Sequence, residues 1–275
     1  MIRYIRLSIF LKDKKTSVHP FIGSTIRGAF GVSLKKVVCI NPSYNCEGCF
    51  AKENCLYYDF FEEKNRAHQF RFDFELDQDN YNFSLYLFED ATIKLPYVLS
   101  AIHKMLTETG LTKNRELFEI EKILCQGKEI YKDGNFDIKD IKSVDFTPRD
   151  IKTPIKLNLI TPLRMKYQNK LLTKKPPLEI LLYSIQNRLH QLKDLPQIKL
   201  TFTPKYKETK SSITFKDQTR RSNRQKTKLQ IGGIVGFIEY EEIDENSLLL
   251  LQVGEIIGVG KQTVFGMGKI EVKEV

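Results

Sequence analysis

The same order of secondary-structure elements is predicted twice along the chain. In the first half, Arg3 to Leu11 alternates apolar and polar residues as a half-buried strand does, and residues 22–38 place apolar side chains at helical spacing. Alternating segments at 69–76 and 81–87 predict two more strands, and a second helix is predicted at 95–106. Such a mixture of helices and half-buried strands restricts the chain to an α+β architecture.

The second half repeats this order after a joint at Thr147–Asp150. Its predicted elements are a strand at 155–159, a helix that follows Pro176-Pro177, strands at about 198–203, 212–216 and 229–240, a short helix at 248–253 and a last strand at 269–272. Strand, helix, strand, strand, helix, strand is the order of ferredoxin-like units and of RNA-recognition modules. We therefore expect two tandem ferredoxin-like domains, residues 1–147 and 148–275.

Phenylalanines alternate with charged residues in the first predicted strand after the first helix. Phe70, Phe72 and Phe74 occupy one face, and Arg71 and Asp73 lie between them. Exposed aromatic rings stack on bases, but this alternation favours a core face with the charged residues on the opposite side.

A net charge of +10 favours a polyanionic partner. Much of it lies in one segment, 204–228, called here the basic hairpin, where only Glu208 and Asp217 oppose the cations. Its basic residues are Lys205, Lys207, Lys210, Lys216, Arg220, Arg221, Arg224, Lys226 and Lys228. A solvated face normally mixes the two signs, so this segment indicates a nucleic-acid partner.

The apolar runs, such as 231–238, are too short to cross a bilayer. The first fifteen residues alternate like a strand and do not resemble a secretory signal. We expect a cytoplasmic protein without a membrane partner.

Four glycines punctuate the C-terminal segment 258–268, called here the glycine segment. They follow a Gly-x-Gly, five residues, Gly-x-Gly pattern and are Gly258, Gly260, Gly266 and Gly268. Glycine permits positive φ and close approach to a ligand, so exposed amides here, with Lys261, can hold phosphate oxygens. The alternative is a tight hairpin that only packs against strands. The pattern differs from both the dinucleotide-binding fingerprint and the phosphate-binding loop.

Four cysteines lie in a short insert at 39–61. Cys39, Cys46, Cys49 and Cys55 have the spacing Cys-x6-Cys-x2-Cys-x5-Cys. Four soft ligands in one loop predict structural zinc, with an iron–sulfur cluster as the second possibility and disulfides disfavoured in a cytoplasm. A closed four-cysteine site has no open position and would stabilise a loop without taking part in catalysis. Cys125 stands apart and is predicted to be a small buried residue.

Three motifs together resemble a known family. The glycine segment resembles the signature of the RAMP superfamily of CRISPR-associated proteins. The segment Arg220-Arg-Ser-Asn-Arg224, followed by Gly232-Gly-Ile-Val-Gly236, resembles the C-terminal domain of the CRISPR-associated endoribonucleases of the "Cas six" family. Gly23-Ser-Thr-Ile-Arg-Gly-Ala-Phe-Gly31, followed by the cysteines, resembles their N-terminal region.

The resemblance implies tandem ferredoxin-like domains and cleavage of CRISPR precursor RNA within its repeats. It implies a reaction that needs no metal, in which the ribose 2′-hydroxyl attacks the adjacent phosphorus and the 5′-oxygen leaves, so that a 2′,3′-cyclic phosphate forms. Such chemistry needs a base, a proton donor for the leaving oxygen and positive charge near the phosphate.

The resemblance also implies candidate residues for these roles. His19, just before the first helix, is the candidate base, and Lys36 is a second catalytic candidate. RNA-binding candidates are Arg27 on the first helix, the arginines and lysines Arg220, Arg221, Arg224, Lys226 and Lys228, and Gly258, Gly260, Lys261, Gly266 and Gly268. His68, His103 and His190 are assigned to structure or surface.

Two other functions remain open. The chain can be a non-catalytic subunit that holds guide RNA in a CRISPR effector complex, or an unrelated zinc-stabilised protein that binds a small phosphorylated ligand. The expected partners of an endoribonuclease, or of such a subunit, are repeat or guide RNA and effector-complex subunits.

Overall fold

The computed structural model describes the chain except for residues 15, 65, 218 and 223–226 and the side chains of residues 219–222 and 227–229. Helices and sheets are mixed throughout, which confirms the α+β class. The chain forms two compact units, an N-terminal unit of Arg3–Val144 and a C-terminal unit of Met1–Ile2 with Asp145–Val275. No helix in the described part of the chain is long and apolar enough to cross a membrane.

The helices are α1 (Gly23–Val38), α2 (Leu95–Lys104), α3 (Leu178–Leu192) and α4 (Glu245–Ile257). The strands are β1 (Arg3–Leu11), β2 (Phe70–Asp73), β3 (Phe83–Phe88), β4 (Ile120–Cys125), β5 (Lys128–Glu129), β6 (Tyr131–Lys132), β7 (Asn135–Phe136), β8 (Val144–Asp145), β9 (Ile155–Leu163), β10 (Lys166–Tyr167), β11 (Lys170–Leu171), β12 (Tyr206–Lys216), β13 (Thr219–Ser222), β14 (Thr227–Gln230), β15 (Gly233–Ile243) and β16 (Ile270–Glu274). Short 3₁₀ or π-helical turns cover Lys52–Asn54, Tyr58–Glu62, Glu89–Lys94, Met105–Thr109 and Thr263–Phe265.

In the N-terminal unit, an antiparallel sheet contains the order β2-β3-β1-β4-β5. Leu7 of β1 lies opposite Leu85 of β3 on one side and Cys125 of β4 on the other. Helix α1 covers this sheet, because the ring of its buried Phe30 lies 6.2 Å from Phe70 and 5.5 Å from Phe72 of β2, measured between centroids. Those contacts confirm that the phenylalanines form a core face.

The opposite face of β2 is also buried, which the alternation did not predict. Arg71 is 0% exposed and Asp73 is 6% exposed. Their side chains pair at 3.1 Å, and the guanidinium of Arg71 lies 5.1 Å from the centre of the Tyr86 ring. A buried charge is tolerated when it is paired and stacked in this way, so charge on a strand is an unreliable sign of solvent contact.

In the C-terminal unit, an antiparallel sheet has the order β12-β15-β9-β16. Its central strand β9 pairs with β15 through Leu157 and Ile238, and with β16 through Leu157 and Val272. When β1–β4 are numbered in chain order in one sheet, and β9, β12, β15 and β16 in the other, both sheets place the second, third, first and fourth strands side by side. The repeat in the sequence is therefore a repeat in topology.

One predicted strand and one predicted helix boundary in the C-terminal unit are wrong. No strand forms at 198–203, because the amide of Ile198 donates to Asn187 Oδ1 and the carbonyl of Lys199 accepts from Gln186 Nε2, both on α3. The helix predicted at 248–253 extends over all of α4, since the carboxylate of Asp244 accepts a hydrogen bond from the Ser247 amide at 3.0 Å and caps an earlier start.

Ile2 belongs to the C-terminal unit although it precedes β1. Its side chain is fully buried, and its carbonyl accepts a hydrogen bond from the amide of Phe146 at 2.8 Å. The carbonyl of Met1 accepts another from Lys193 Nζ at 3.0 Å. The C-terminal unit is thus assembled from two pieces of chain that are far apart in sequence.

Candidate nucleic-acid interface

The glycine segment links α4 to β16 and is largely buried. All four of its motif glycines have positive φ, between 69° and 79°. The side chains of Val259, Thr263, Phe265 and Met267 between them are buried. Only glycine adopts this backbone without strain, so the glycines let the segment turn repeatedly while its other side chains enter the core.

Many of the amides in this segment already have partners in the protein. Those of Gly258, Val259, Gly266 and Gly268 donate to carbonyls at 2.8–3.2 Å. Gly258, Gly266 and Gly268 are buried, whereas Gly260 is half-buried and Lys261 is exposed. Of the five residues of this segment that are predicted to contact RNA, Gly260 and Lys261 are therefore the two with exposed surface.

A pocket of about 340 Å³ lies between α1 and the cysteine insert and is called here the insert pocket. Its lining residues are Arg27, Gly28, Gly31, Val32, Lys35, Lys36, Tyr44, Tyr57 and Phe61. Three of them are cations and, among the described residues, none is a carboxylate, although Glu62 lies close enough to accept a hydrogen bond from Tyr57 at 3.3 Å. The pocket thus attracts anions.

Stacked rings and cations form one wall of the insert pocket. Tyr57 and Phe61 stack with 5.3 Å between centroids and 9° between planes, while Arg27 lies 4.6 Å from the Phe61 ring and Lys35 4.8 Å from the Tyr57 ring. Gly31 permits this packing, because a Cβ at that position would lie 2.6 Å from Phe61 Cε1. Such a surface can contact both the bases and the phosphates of RNA. The aromatic run Tyr57–Phe61 was the signal that the sequence reasoning missed.

His19 is exposed and precedes α1, as expected. Its Nδ1 accepts a hydrogen bond from the amide of Phe21 at 3.1 Å. In a neutral imidazole with Nδ1 accepting, the proton is on Nε2. In this state Nε2 of His19 donates a hydrogen bond, and the ring must gain a proton on Nδ1 before it can act as an acid, whereas the sequence predicted a base.

The two predicted catalytic residues do not meet. Lys36 is the fourteenth residue of α1, so it lies about 20 Å along the helix axis from Gly23, the residue nearest His19 in the helix. Lys36 is exposed and lines the insert pocket instead. A shared role for His19 and Lys36 at one phosphate is inconsistent with this geometry.

The other three histidines have local partners. Their Nδ1 atoms lie 2.8 Å from the carbonyl oxygen of Asp59 for His68, 3.4 Å from Thr107 Oγ1 for His103 and 2.9 Å from the carbonyl oxygen of Pro196 for His190. These contacts fit the structural assignment that the sequence suggested.

Part of the basic hairpin is neutralised by the facing strand. Lys207 of this segment pairs with Glu241 of β15 at 2.6 Å, and Lys210 lies opposite Glu239, which itself pairs with Lys156 at 3.2 Å. Glu208, one of the two acids within the segment, pairs with Lys175 from outside it. Within the segment only Glu208 and Asp217 are acidic, and strand pairing adds Glu241 from β15. Arg224 and Lys226, and the side chains of Arg220, Arg221 and Lys228, lie outside the described residues.

The four cysteines of the insert are half-buried and free. The amide of Cys49 donates to the carbonyl of Cys46 at 3.4 Å, in a turn where Gly48 has φ of 67°. Within the described residues, no three His, Cys, Asp or Glu side chains lie close enough together to hold a metal ion. Zinc at Cys39, Cys46, Cys49 and Cys55 stays a prediction from spacing, and its binding requires the thiolates to move together.

The zinc prediction has a direct measurement. We expect about one zinc ion per chain by inductively coupled plasma mass spectrometry, and its loss in a Cys46→Ser, Cys49→Ser double variant. Cys125→Ser is the matched control and should keep the metal, because burial raises the pKa of the Cys125 thiol to about 11 and keeps it protonated. Purified protein without zinc, or zinc retained by the double variant, would contradict the prediction.

Known proteins resemble both halves of the chain. Residues 2–145 match the family model named AF_1859_N, an N-terminal domain. Residues 157–270 match the model of the CRISPR-associated endoribonuclease Cas6. An uncharacterized protein of Archaeoglobus fulgidus is 26% identical over 294 aligned residues, covering 98% of this chain and 97% of that one.

Solved structures share the fold. A Cas6 product complex superposes with a TM-score of 0.55 at 13% identity, covering 98% of each chain. A Cas6-related protein of Pyrococcus furiosus gives 0.53 at 12% identity, covering 99% of this chain and 98% of that one. A partial Cas6-RT-Cas1–Cas2 complex gives 0.55 at 12% identity, covering all of this chain and 46% of that one. With identities this low, these superpositions show a shared fold alone. The similarity in sequence to Cas6 rests on the match of residues 157–270. The chain therefore belongs to the family of the AF_1859_N domain, whose model spans more than half of it, and its residues 157–270 are similar to the CRISPR-associated endoribonuclease Cas6 family.

Proposed function

We propose that this chain is an endoribonuclease that processes CRISPR precursor RNA within its repeats. The observation that carries the proposal is the match of residues 157–270 to the Cas6 endoribonuclease model, which includes the whole glycine segment and its exposed Lys261. The net charge of +10 and the cationic insert pocket support an RNA substrate. The partners on this proposal are repeat RNA and, after cleavage, guide RNA.

We further propose that each unit is ferredoxin-like. When the short strands β5–β8, β10, β11, β13 and β14 are set aside, both have the order strand, helix, strand, strand, helix, strand. Both also place the second, third, first and fourth of these strands side by side. RNA-recognition modules use the same order of elements, so the fold is compatible with RNA binding in either unit.

On this proposal the cleavage uses the substrate's own 2′-hydroxyl and leaves a 2′,3′-cyclic phosphate. Nε2 of His19 protonates the departing 5′-oxygen from the imidazolium form of the ring, in which Nδ1 carries a second proton and no longer accepts from the Phe21 amide. The proton of the attacking 2′-hydroxyl passes to water. Arg27 lies one turn into α1, about 6 Å along the axis from Gly23, and supplies positive charge for the phosphate. DNA lacks the attacking hydroxyl and is spared.

The second candidate function is a guide-RNA-binding subunit that does not cut. It is favoured by one observation, the occupied Nδ1 of His19, which removes that nitrogen as a base. Fold similarity to a chain of the Cas6-RT-Cas1–Cas2 complex is compatible with membership in a larger assembly. A subunit of this kind would bind repeat RNA with the same salt dependence and leave it intact.

One assay separates the candidates. Purified protein is incubated in EDTA with repeat RNA and with the same RNA carrying a single 2′-deoxy residue at the cut site. We expect cleavage of the first, with a 2′,3′-cyclic phosphate end detected by mass spectrometry, and none of the second. Binding of both RNAs without any cleavage would establish the subunit instead, and no RNA affinity even at low salt would reject both candidates.

A further inference from the structure

A second pocket, of about 450 Å³, lies within the C-terminal unit and is called here the loop pocket. Its walls come from the β10–β11 hairpin, one face of α3 and the exposed part of the glycine segment. Its lining includes Lys166, Tyr167, Tyr183, Arg188, Gly260 and Lys261. Pockets that hold small organic groups measure about 300–1,000 Å³, so this one is large enough for a nucleotide.

The sequence builds this pocket from separate segments. Tyr183, Asn187 and Gln191 recur at helical spacing along one side of α3. Tyr183 is exposed, whereas Asn187 is buried and accepts a hydrogen bond from the Ile198 amide at 3.2 Å. The glycine segment closes against the end of β9, where the Lys261 amide donates to the carbonyl of Arg164 at 2.8 Å. Gly260 allows that approach, since a Cβ there would lie 2.5 Å from the same oxygen.

Two tyrosines stand exposed in the loop pocket. Tyr167 is 44% exposed and Tyr183 is 43% exposed. Tyr167 is held in place by the β10–β11 hairpin, whose turn residues Gln168 and Asn169 both have positive φ as a two-residue hairpin requires. Exposed aromatic rings held on regular elements stack on bases without regard to sequence.

The charges that line the loop pocket are all positive. Lys166 and Lys261 are exposed, and Arg188 is fixed by the hydrogen bond from its Nε to the carbonyl of Ile257 at 2.8 Å. Among the described lining residues there is no Asp or Glu. Side-chain amides of Gln191 and Gln197 add donors and acceptors at the rim. Rings, cations and amides together complement a base with its phosphate.

We propose that the loop pocket binds one unpaired nucleotide of the RNA, with its base stacked on Tyr183 or Tyr167 and its phosphate beside Lys261. This proposal rests on the proposed RNA function and adds to it a place where the protein holds a single-stranded part of the substrate. The chemistry at the cut phosphate does not involve these residues.

The test compares single variants in equilibrium binding to single-stranded repeat RNA, measured by fluorescence anisotropy over a series of salt concentrations. We expect Tyr183→Ala or Tyr167→Ala to weaken binding by about 5–150-fold without changing the slope of affinity against salt, because a ring is lost and no charge. Lys261→Ala should instead reduce that slope by about one. Tyr97→Ala, which removes a 51% exposed tyrosine from α2, is the matched control and should bind as the wild type does.

The outcomes separate the two proposals. Wild-type cleavage of repeat RNA together with full affinity of both tyrosine variants would overturn the loop pocket and leave the proposed function standing. Circular dichroism and melting temperature, unchanged in the variants, show that a loss of affinity is not a loss of folding.

Discussion

Cleavage of repeat RNA should be about 10²–10⁴-fold slower in a His19→Ala variant than in the wild type, measured under single-turnover conditions. RNA affinity should not change, because the ring is exposed and its hydrogen bond at 3.1 Å is to the backbone of Phe21. A proton donor acts in the transition state, so its loss lowers the rate and not the binding.

The substrate can distinguish a donor from a base at this position. When sulfur replaces the bridging 5′-oxygen at the cut site, the leaving group needs no proton. The defect of His19→Ala on that RNA should then shrink to within about tenfold. An equal defect on both RNAs would restore the role of base that the sequence suggested, and full activity on both would remove His19 from the mechanism.

His190→Ala is the matched control for this experiment. The His190 ring also has its Nδ1 engaged by a neighbouring backbone group, the carbonyl of Pro196 at 2.9 Å, but it lies in the C-terminal unit near the end of α3. Its loss should leave the cleavage rate at the wild-type value.

Gly268→Ala should destabilise the protein by about 2–5 kcal/mol. Gly268 has φ of 69°, and a Cβ there would overlap the carbonyl oxygen of Val259, which belongs to the same segment. The left-handed backbone costs about 1–2 kcal/mol for a residue with a Cβ, and forcing an atom into packed structure adds about 1–3 kcal/mol. Urea denaturation measures the loss, which should appear as a lower midpoint.

The Gly28→Ala variant provides the control for Gly268→Ala. Gly28 lies inside α1, and a Cβ added there meets no atom within 4 Å. Alanine is the better helix former, so this variant should be more stable than the wild type by about 0.5–1 kcal/mol. A Gly268→Ala protein as stable as the wild type would show that the glycine segment is less constrained than its backbone angles indicate.

The sequence predicted the repeated order of elements because local periodicity carries it. Alternation at Arg3 to Leu11 and helical spacing at 22–38 correspond to β1 and α1, and the positive φ values of the glycine segment follow from what only glycine adopts without strain. Each of these signals lies within a few neighbouring residues, so no knowledge of distant contacts was needed.

The features that the sequence did not predict depend on partners far away in the chain. Arg71 is buried by its contact with Tyr86, and the backbone of 198–203 is diverted by side chains of α3. Lys207 of β12 pairs with Glu241 of the neighbouring strand β15. The insert and loop pockets likewise combine segments whose spacing says nothing about their meeting. Both lie where long-range packing, and not periodicity, places the side chains.

The burial of Ile2 beside Phe146 has a consequence for biosynthesis. A ribosome adding about 5–20 residues per second needs roughly 7–30 s to travel between these two positions. Throughout that interval Arg3–Val144 emerges and can form its sheet, whereas Ile2 still lacks the amide of Phe146 that its carbonyl accepts in the finished protein. Ile2 is therefore synthesised before the whole N-terminal unit but reaches its native contacts after it, and the C-terminal unit can be completed only when both of its pieces of chain are present.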